Sequence, residues 1–190
     1  MPKPRSETSR TAILMAAFEL VGEVGYAKLT IEGIAARAGV GKQTIYRWWP
    51  SKGAVLFDAF LALSEDAHGD PSLPDTGDLE ADLKRVLRAT VAELNDPRYA
   101  EPMRALHAAT ATDPDLAAEY ERRLEAPMRE LKLARLRAGG LPAGTDLELA
   151  ADLLWSPLLA RWQQGRELTP EYADAVVETV LAGLRAQAGG

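Results

Sequence analysis

Within Leu29–Lys52, LTIEGIAARAGVGKQTIYRWWPSK, glycine and proline leave room for two very short helices and nothing longer. Thr30 is placed to cap the first helix and Gly39 to end it. Pro50 stops the second, because the residue before a proline is pushed away from helical geometry. Leu29 ahead of the cap and Ile34 four residues after it are spaced for a hydrophobic staple. Helices of about eight residues and of barely two turns, the second from about Gly41 to Trp48, are not stable alone, so packing must hold them. Ile34, Ala35, Ala38, Val40 and Ile45 supply the small and apolar contacts through which two such helices cross closely. The arrangement is a helix-turn-helix.

The opposite face of the second helix carries Lys42, Gln43, Thr44, Tyr46 and Arg47, a donor-rich set without a carboxylate. Gln can bond adenine through two atoms, Lys or Arg can bond guanine O6 and N7, and a hydroxyl serves a base or a phosphate. Backbone N–H groups at the start of the helix favour a phosphate as well. A short polar helix is by itself an ordinary solvated surface. Its position in the motif, its flanking residues and the local charge together separate the two readings. The net charge of −6 conceals eight Lys or Arg against four Glu in residues 1–53, and 14 basic against 24 acidic residues in the remainder. A polyanion feels the basic quarter within a Debye length, so duplex DNA is the expected partner.

The rest of the chain reads as helix. Apolar residues recur at three- and four-residue spacing, and no stretch alternates with the two-residue period of a strand, so the fold class is all-α. Thr8 or Ser9 is expected to cap a first helix with Ile13, Leu14, Ala17, Phe18, Val21 and Val24 on one face, ending at Gly25. Ser51 caps a fourth helix to about His68, and Asp70–Asp78 is a Pro/Gly/Asp loop. This predicts a three-helix N-terminal domain over 1–53, a connecting helix over about 51–68, and a helical C-terminal domain over 69–190. In the latter, Leu79–Leu94 is followed by helices opening at Asp96-Pro97 and Asp113-Pro114, the second kinked or broken at Pro127. Asp146 caps a helix to about Gln164 that contains Pro157, and Thr169-Pro170 opens the last helix.

Zero cysteines and two histidines, His68 and His107, outside any metal-binding spacing leave no metal site and no cofactor to expect. No G-x-S-x-G, P-loop or G-x-G-x-x-G occurs, so the chain is not expected to be an enzyme. No apolar run approaches the length of a membrane span, which predicts a cytoplasmic protein with no membrane partner. The competing reading is a helical scaffold or adaptor without nucleic-acid function, and salt-dependent DNA binding separates the two.

The run from Leu29 to Lys52, with Ile34-Ala35, Ala38-Gly39-Val40, Lys42, Thr44-Ile45-Tyr46 and Ser51-Lys52, resembles the DNA-binding domain of the tetracycline-repressor (TetR/AcrR) family of bacterial regulators. The resemblance covers about residues 8–68; over 69–190 only size and helical character match. It implies a repressor that binds a pseudo-palindromic operator as a homodimer and is released by a small-molecule effector. It further implies phosphate contacts by Thr30, Tyr46 and Lys52, and reading of base edges by Lys42, Gln43, Thr44 and Arg47. Some positions depart from the family pattern. Gly41 stands where a Ser often caps the recognition helix, and Gln43 replaces a frequent Gly. The charge of Glu32 opposes a phosphate contact at a position where some members touch DNA. Trp48-Trp49 is unusually bulky and is expected to anchor the motif onto the first and fourth helices.

By the same resemblance, residues 69–190 form the ligand-binding and dimerisation domain. Candidate effector contacts, chosen for shared helix faces, are Met103 and His107, Met128, and Trp155 and Trp162. One small head reads too few base pairs to find a site among a genome of competitors, so a homodimer is expected. Val176, Val177, Val180, Leu181 and Leu184, with small Ala173 and Gly183, form the stripe assigned to its interface.

Overall fold

A computed structural model describes residues 5–68 and 73–187, which hold ten α-helices and no strand. In chain order these are α1 (Arg5–Val24), α2 (Ile31–Ala38), α3 (Lys42–Tyr46), α4 (Lys52–His68), α5 (Leu79–Asn95), α6 (Pro97–Thr110), α7 (Pro114–Tyr120), α8 (Ala126–Ala138), α9 (Leu147–Gln163) and α10 (Pro170–Gln187). A 3-10 turn, Tyr26–Lys28, joins α1 to α2. The all-α class is as the periodicity requires. The chain forms two compact units, Met1–Asp70 with Arg98–Glu121, and Pro71–Pro97 with Arg122–Gly190. The expected domain boundary at residue 69 lies outside the described residues, as does the start of the 70–78 loop.

The helix ends follow local chemistry. The Thr30 hydroxyl accepts from the Gly33 N–H at 3.0 Å, and Asp78, Asp113 and Asp146 cap α5, α7 and α9 in the same way. Ser51 receives the Ala54 N–H at 3.2 Å, and Thr169 receives that of Tyr172 at 3.2 Å. Gly39 ends α2 at φ 66°, a left-handed conformation that a side chain would resist. Helix α1 departs from expectation. It begins at Arg5, so Thr8 and Ser9 lie inside it; Thr11 turns its hydroxyl back onto the Glu7 carbonyl at 3.1 Å, which satisfies it without ending the helix. Pro127 acts through its predecessors: a π-helical turn at Glu121–Glu125 separates α7 from α8, relieving the clash a proline makes one turn back.

In the first unit, α1 packs on α2 and α4, and Ile13, Ala17, Val21, Ile34, Ile45, Val55 and Leu56 are almost wholly buried together. The segment Arg98–Glu121 joins this core. Ala105 lies in the cluster, and the Phe57 and Tyr120 rings are 5.6 Å apart. A methyl group on Gly53 would lie 2.7 Å from Leu116 Cδ2 and 3.1 Å from the Tyr26 hydroxyl, so glycine lets α7 lie against the start of α4.

In the second unit, α10 packs chiefly on α5 and also on α9, while α8 packs on α9. Ala173, Val177 and Leu181 are fully buried there, with Leu83, Leu87 and Val91 of α5. Lys84–Glu178 and Arg88–Asp174 ion pairs border that seam. A buried polar knot closes one end. Arg135 donates to Asp82 at 2.7 Å and to the Pro74 carbonyl at 2.6 Å, and Asp82 also accepts from the Thr76 N–H and hydroxyl at 2.9 and 2.8 Å.

The Thr76 N–H first, and then Arg135, hold the Asp82 carboxyl below its ordinary value, against the opposing effect of burial. A depressed folded-state pKa stabilises the fold above the unfolded-state value and loses that stabilisation as pH falls through the folded value. Asp82→Asn is therefore expected to lower stability at neutral pH and to flatten the decline below the ordinary carboxylate range. Denaturant unfolding between pH 7 and pH 2 checks this, and parallel curves for variant and parent would refute it.

Candidate nucleic-acid interface

Ile45 is the anchor of the recognition helix, fully buried in the core that residues of α1, α2 and α4 share, and it dictates what the rest of α3 presents. Lys42, Gln43, Tyr46 and Arg47 are exposed, and Thr44 is partly so. The five side chains on the expected reading face therefore stand at the surface on one short helix and its C-cap, Arg47, with no carboxylate among them. Thr30 lies at the surface one helix earlier, its hydroxyl engaged as the α2 cap.

The two tryptophans divide their roles. Trp49 is 4% exposed, and its indole N–H donates to Asp58 of α4 at 2.9 Å. Arg10 of α1 pairs with the same carboxylate oxygen at 3.0 Å. The end of the recognition helix is thus pinned to α1 and α4, as its bulk suggested. Trp48 packs edge-on against Trp49 at 5.4 Å and carries the Arg47 guanidinium 5.0 Å above its ring. That platform holds the Arg47 head beside the reading face.

Lys52 is less available than its place in the motif suggested. Its ammonium donates to the Tyr26 carbonyl at 2.9 Å and the Leu29 carbonyl at 2.8 Å, and lies 4.4 Å from the Tyr26 ring centroid. It clasps the turn between α1 and α2, leaving one of its three N–H donors for another acceptor. Burial, and then the charge of Asp113, push the Tyr26 phenol up from its ordinary pKa, so the ring stays neutral beneath the lysine.

Ion pairs decide which positive charges face outward. Arg37 makes two bonds to Glu23, at 2.7 and 2.9 Å, and approaches Glu19 at 3.4 Å. The bond from Arg37 holds the Glu23 carboxyl below its ordinary pKa. Lys42 faces Glu32 at 3.6 Å. Lys28, Arg47 and Lys52 have no carboxylate partner among the described residues. Lys28, at the end of the 3-10 turn, is a further exposed cation here; its place two residues ahead of the capping Thr30 is the signal that the sequence offers for it.

The candidate effector residues are divided between the two units. Met103 and His107, both half-buried, belong to the first unit, where His107 packs against Tyr120 at 5.8 Å. Met128, Trp155 and Trp162 belong to the second. Trp162 is 3% exposed and donates to the Leu94 carbonyl at 2.8 Å, a committed core position. Trp155 is half-buried beneath the Lys132 ammonium, 5.1 Å from its ring centroid, and burial pushes the pKa of that lysine down. Of the residues assigned to a dimer interface, Val177, Leu181 and Leu184 are buried within the unit, whereas Val176 and Val180 are only half-buried. On α9, Leu149 and Leu153 are exposed at 52% and 44%, a feature that the sequence reading passed over.

Comparison with known proteins matches both parts of the chain. Residues 13–59 fit the model for bacterial regulatory proteins of the tetR family, and residues 73–180 fit a tetracyclin repressor-like C-terminal domain. An uncharacterized HTH-type transcriptional regulator of Bacillus subtilis, YdeS, is 34% identical over 97% of this chain and 93% of its own. The DNA-binding transcriptional repressor TetR of Mycobacteroides abscessus is 29% identical over 93% of this chain and 94% of its own. The crystal structure of the TetR family transcription regulator SCO0332 superposes with a TM-score of 0.71 at 34% identity, covering 92% of this chain and 97% of that one.

Proposed function

The chain belongs to the tetR family of bacterial regulatory proteins, and from that premise we propose that it represses transcription as a homodimer on a two-fold-symmetric operator. It is a ligand-responsive, DNA-binding regulator, and in our reading a small molecule releases it from DNA. The observation that carries the DNA-reading assignment is the exposed, carboxylate-free face of α3, anchored from behind by buried Ile45 and Trp49. Gln43, Thr44 and Arg47 are assigned to base edges together with Lys42. Thr30, Tyr46, the third N–H of Lys52, and Lys28 are assigned to phosphates.

Lys52→Ala is expected to weaken binding to all duplexes about equally and to reduce the salt slope by about one. Gln43→Ala or Arg47→Ala is expected to cost about 1–3 kcal/mol on the preferred duplex and to change sequence preference. Titration of a selected and a scrambled duplex at several salt concentrations measures both effects. Unchanged binding by Lys52→Ala and Arg47→Ala alike would remove the assignment, and an effector that tightens binding instead of weakening it would reverse the proposed direction of control.

The effector is expected to act by favouring one spacing of the two heads, since a ligand shifts an equilibrium only by its differential affinity for the two states. The homodimer is assigned to the face of α9 and α10 that the second unit does not itself bury, carrying Leu149, Leu153, Val176 and Val180.

A further inference from the structure

Among the described residues, the carboxylate that approaches the reading helix belongs to Glu32. It stands in the first turn of α2, exposed, with Oε1 3.6 Å from Nζ of Lys42, the first residue of α3. The pair therefore spans the beginnings of the two helices that define the motif. The other carboxylates close to this motif are engaged elsewhere: Glu19 and Glu23 on Arg37, and Asp58 on Trp49 and Arg10. The Glu32–Lys42 pair is exposed on both sides, so it contributes little to holding the motif together. Glu32 buries nothing, and it is not needed to cap α2, where Thr30 already serves. What remains is its effect on charge where DNA is expected to arrive.

We propose that Glu32 is a specificity-determining residue that masks Lys42 from phosphates, weakening binding to arbitrary DNA more than binding to the operator. The inference rests on the DNA-reading assignment above. Arbitrary duplex is bound through phosphates, and each lysine engaged there contributes by releasing a counterion. A lysine already facing a carboxylate contributes less, because a phosphate must replace that partner and approach the carboxylate's own charge. In the operator complex Lys42 turns to a base edge, where guanine O6 and N7 are neutral acceptors, so engaging Lys42 there brings no phosphate up to the Glu32 carboxylate. The cost of the carboxylate thus falls mainly on the wrong sites, which discriminates by penalising competitors.

The test uses the full-length chain with two duplexes: one recovered by the protein from a random library, and a scrambled duplex of the same composition. Glu32→Gln is expected to tighten scrambled-duplex binding severalfold and to steepen its salt slope by about one. Affinity for the selected duplex should change less, so that the ratio of the two falls. In a Lys42→Met background, Glu32→Gln should have little further effect. Equal tightening on both duplexes, no tightening on either, or a full Glu32→Gln effect without Lys42 would each overturn the proposal. Failure of the underlying reading looks different: the parent protein itself would show no salt-dependent binding, and Arg47→Ala would change nothing. Because Glu32 and Lys42 are exposed, thermal unfolding should be nearly unaltered in both variants, which keeps the readout on DNA.

Discussion

Leu153→Glu combined with Val180→Glu is expected to leave a folded chain that sediments as a monomer and binds its operator about 10²–10⁴-fold less tightly. The size of the effect comes from linkage: when two heads are joined, the second binds at the high effective concentration set by the first, and separate monomers lose that gain. Leu153 is 44% exposed and Val180 half-buried, on two helices that pack together, so charge at these positions does not enter the core of the second unit. Gly183, three residues after Val180 on α10, has open space where a side chain would begin, leaving room for close approach by a partner helix. The same substitution at Leu181 or Leu184 would bury a carboxylate in the unit's own core and report on folding instead. Sedimentation at micromolar concentration with parallel operator titration gives the result. A monomeric parent protein, or a variant that remains dimeric, would overturn the interface.

Trp49→Ala should destabilise the first unit by about 3–5 kcal/mol, the range for removing a buried aromatic side chain. The loss is a large part of the roughly 5–15 kcal/mol by which folded proteins are stable. It also leaves the Asp58 carboxylate without the indole donor that meets it at 2.9 Å, and removes the ring against which Trp48 packs. Trp49→Phe keeps most of the ring and loses the hydrogen bond, so it should cost nearer 1 kcal/mol. DNA affinity should fall further for Trp49→Ala than for Trp49→Phe, because the end of the recognition helix is held through this residue. Chemical denaturation and DNA titration of both variants form the check; a midpoint for Trp49→Ala equal to that of the parent would exclude the anchoring role.

The legible parts of this fold are those decided by short-range chemistry. Thr30, Ser51, Asp113, Asp146 and Thr169 cap helices because each offers a side-chain oxygen to an N–H a few residues on. The buried side of α2 and α3 was legible too, since small and apolar residues on such short helices have few ways to pack. What the spacing of residues does not carry is the identity of the partner. The stripe on α10 announces burial, yet Val177 would look the same packed on α5 as on another subunit. Lys52 likewise matches a phosphate-binding position, and nothing in the spacing shows that its ammonium also meets the carbonyls of Tyr26 and Leu29. The candidate effector residues share helix faces, but periodicity within a helix says nothing of which compact unit that helix joins.

Membership of a compact unit also governs how regulators of this design can be recombined. The helix-turn-helix unit is discontinuous in the chain: it takes in Met1–Asp70 and then Arg98–Glu121, and the chain passes through α5 of the other unit in between. Exchanging heads by a single crossover after α4 would join a new Gly53 and Phe57 surface to a resident Leu116 and Tyr120 that were shaped for another sequence. A workable chimera carries two exchanges, bringing α6 and α7 with the head they complete. Modularity here lies in the packed unit and not in the linear segment, so drift on either side of α5 must be matched on the other for a transplanted reading head to keep its form.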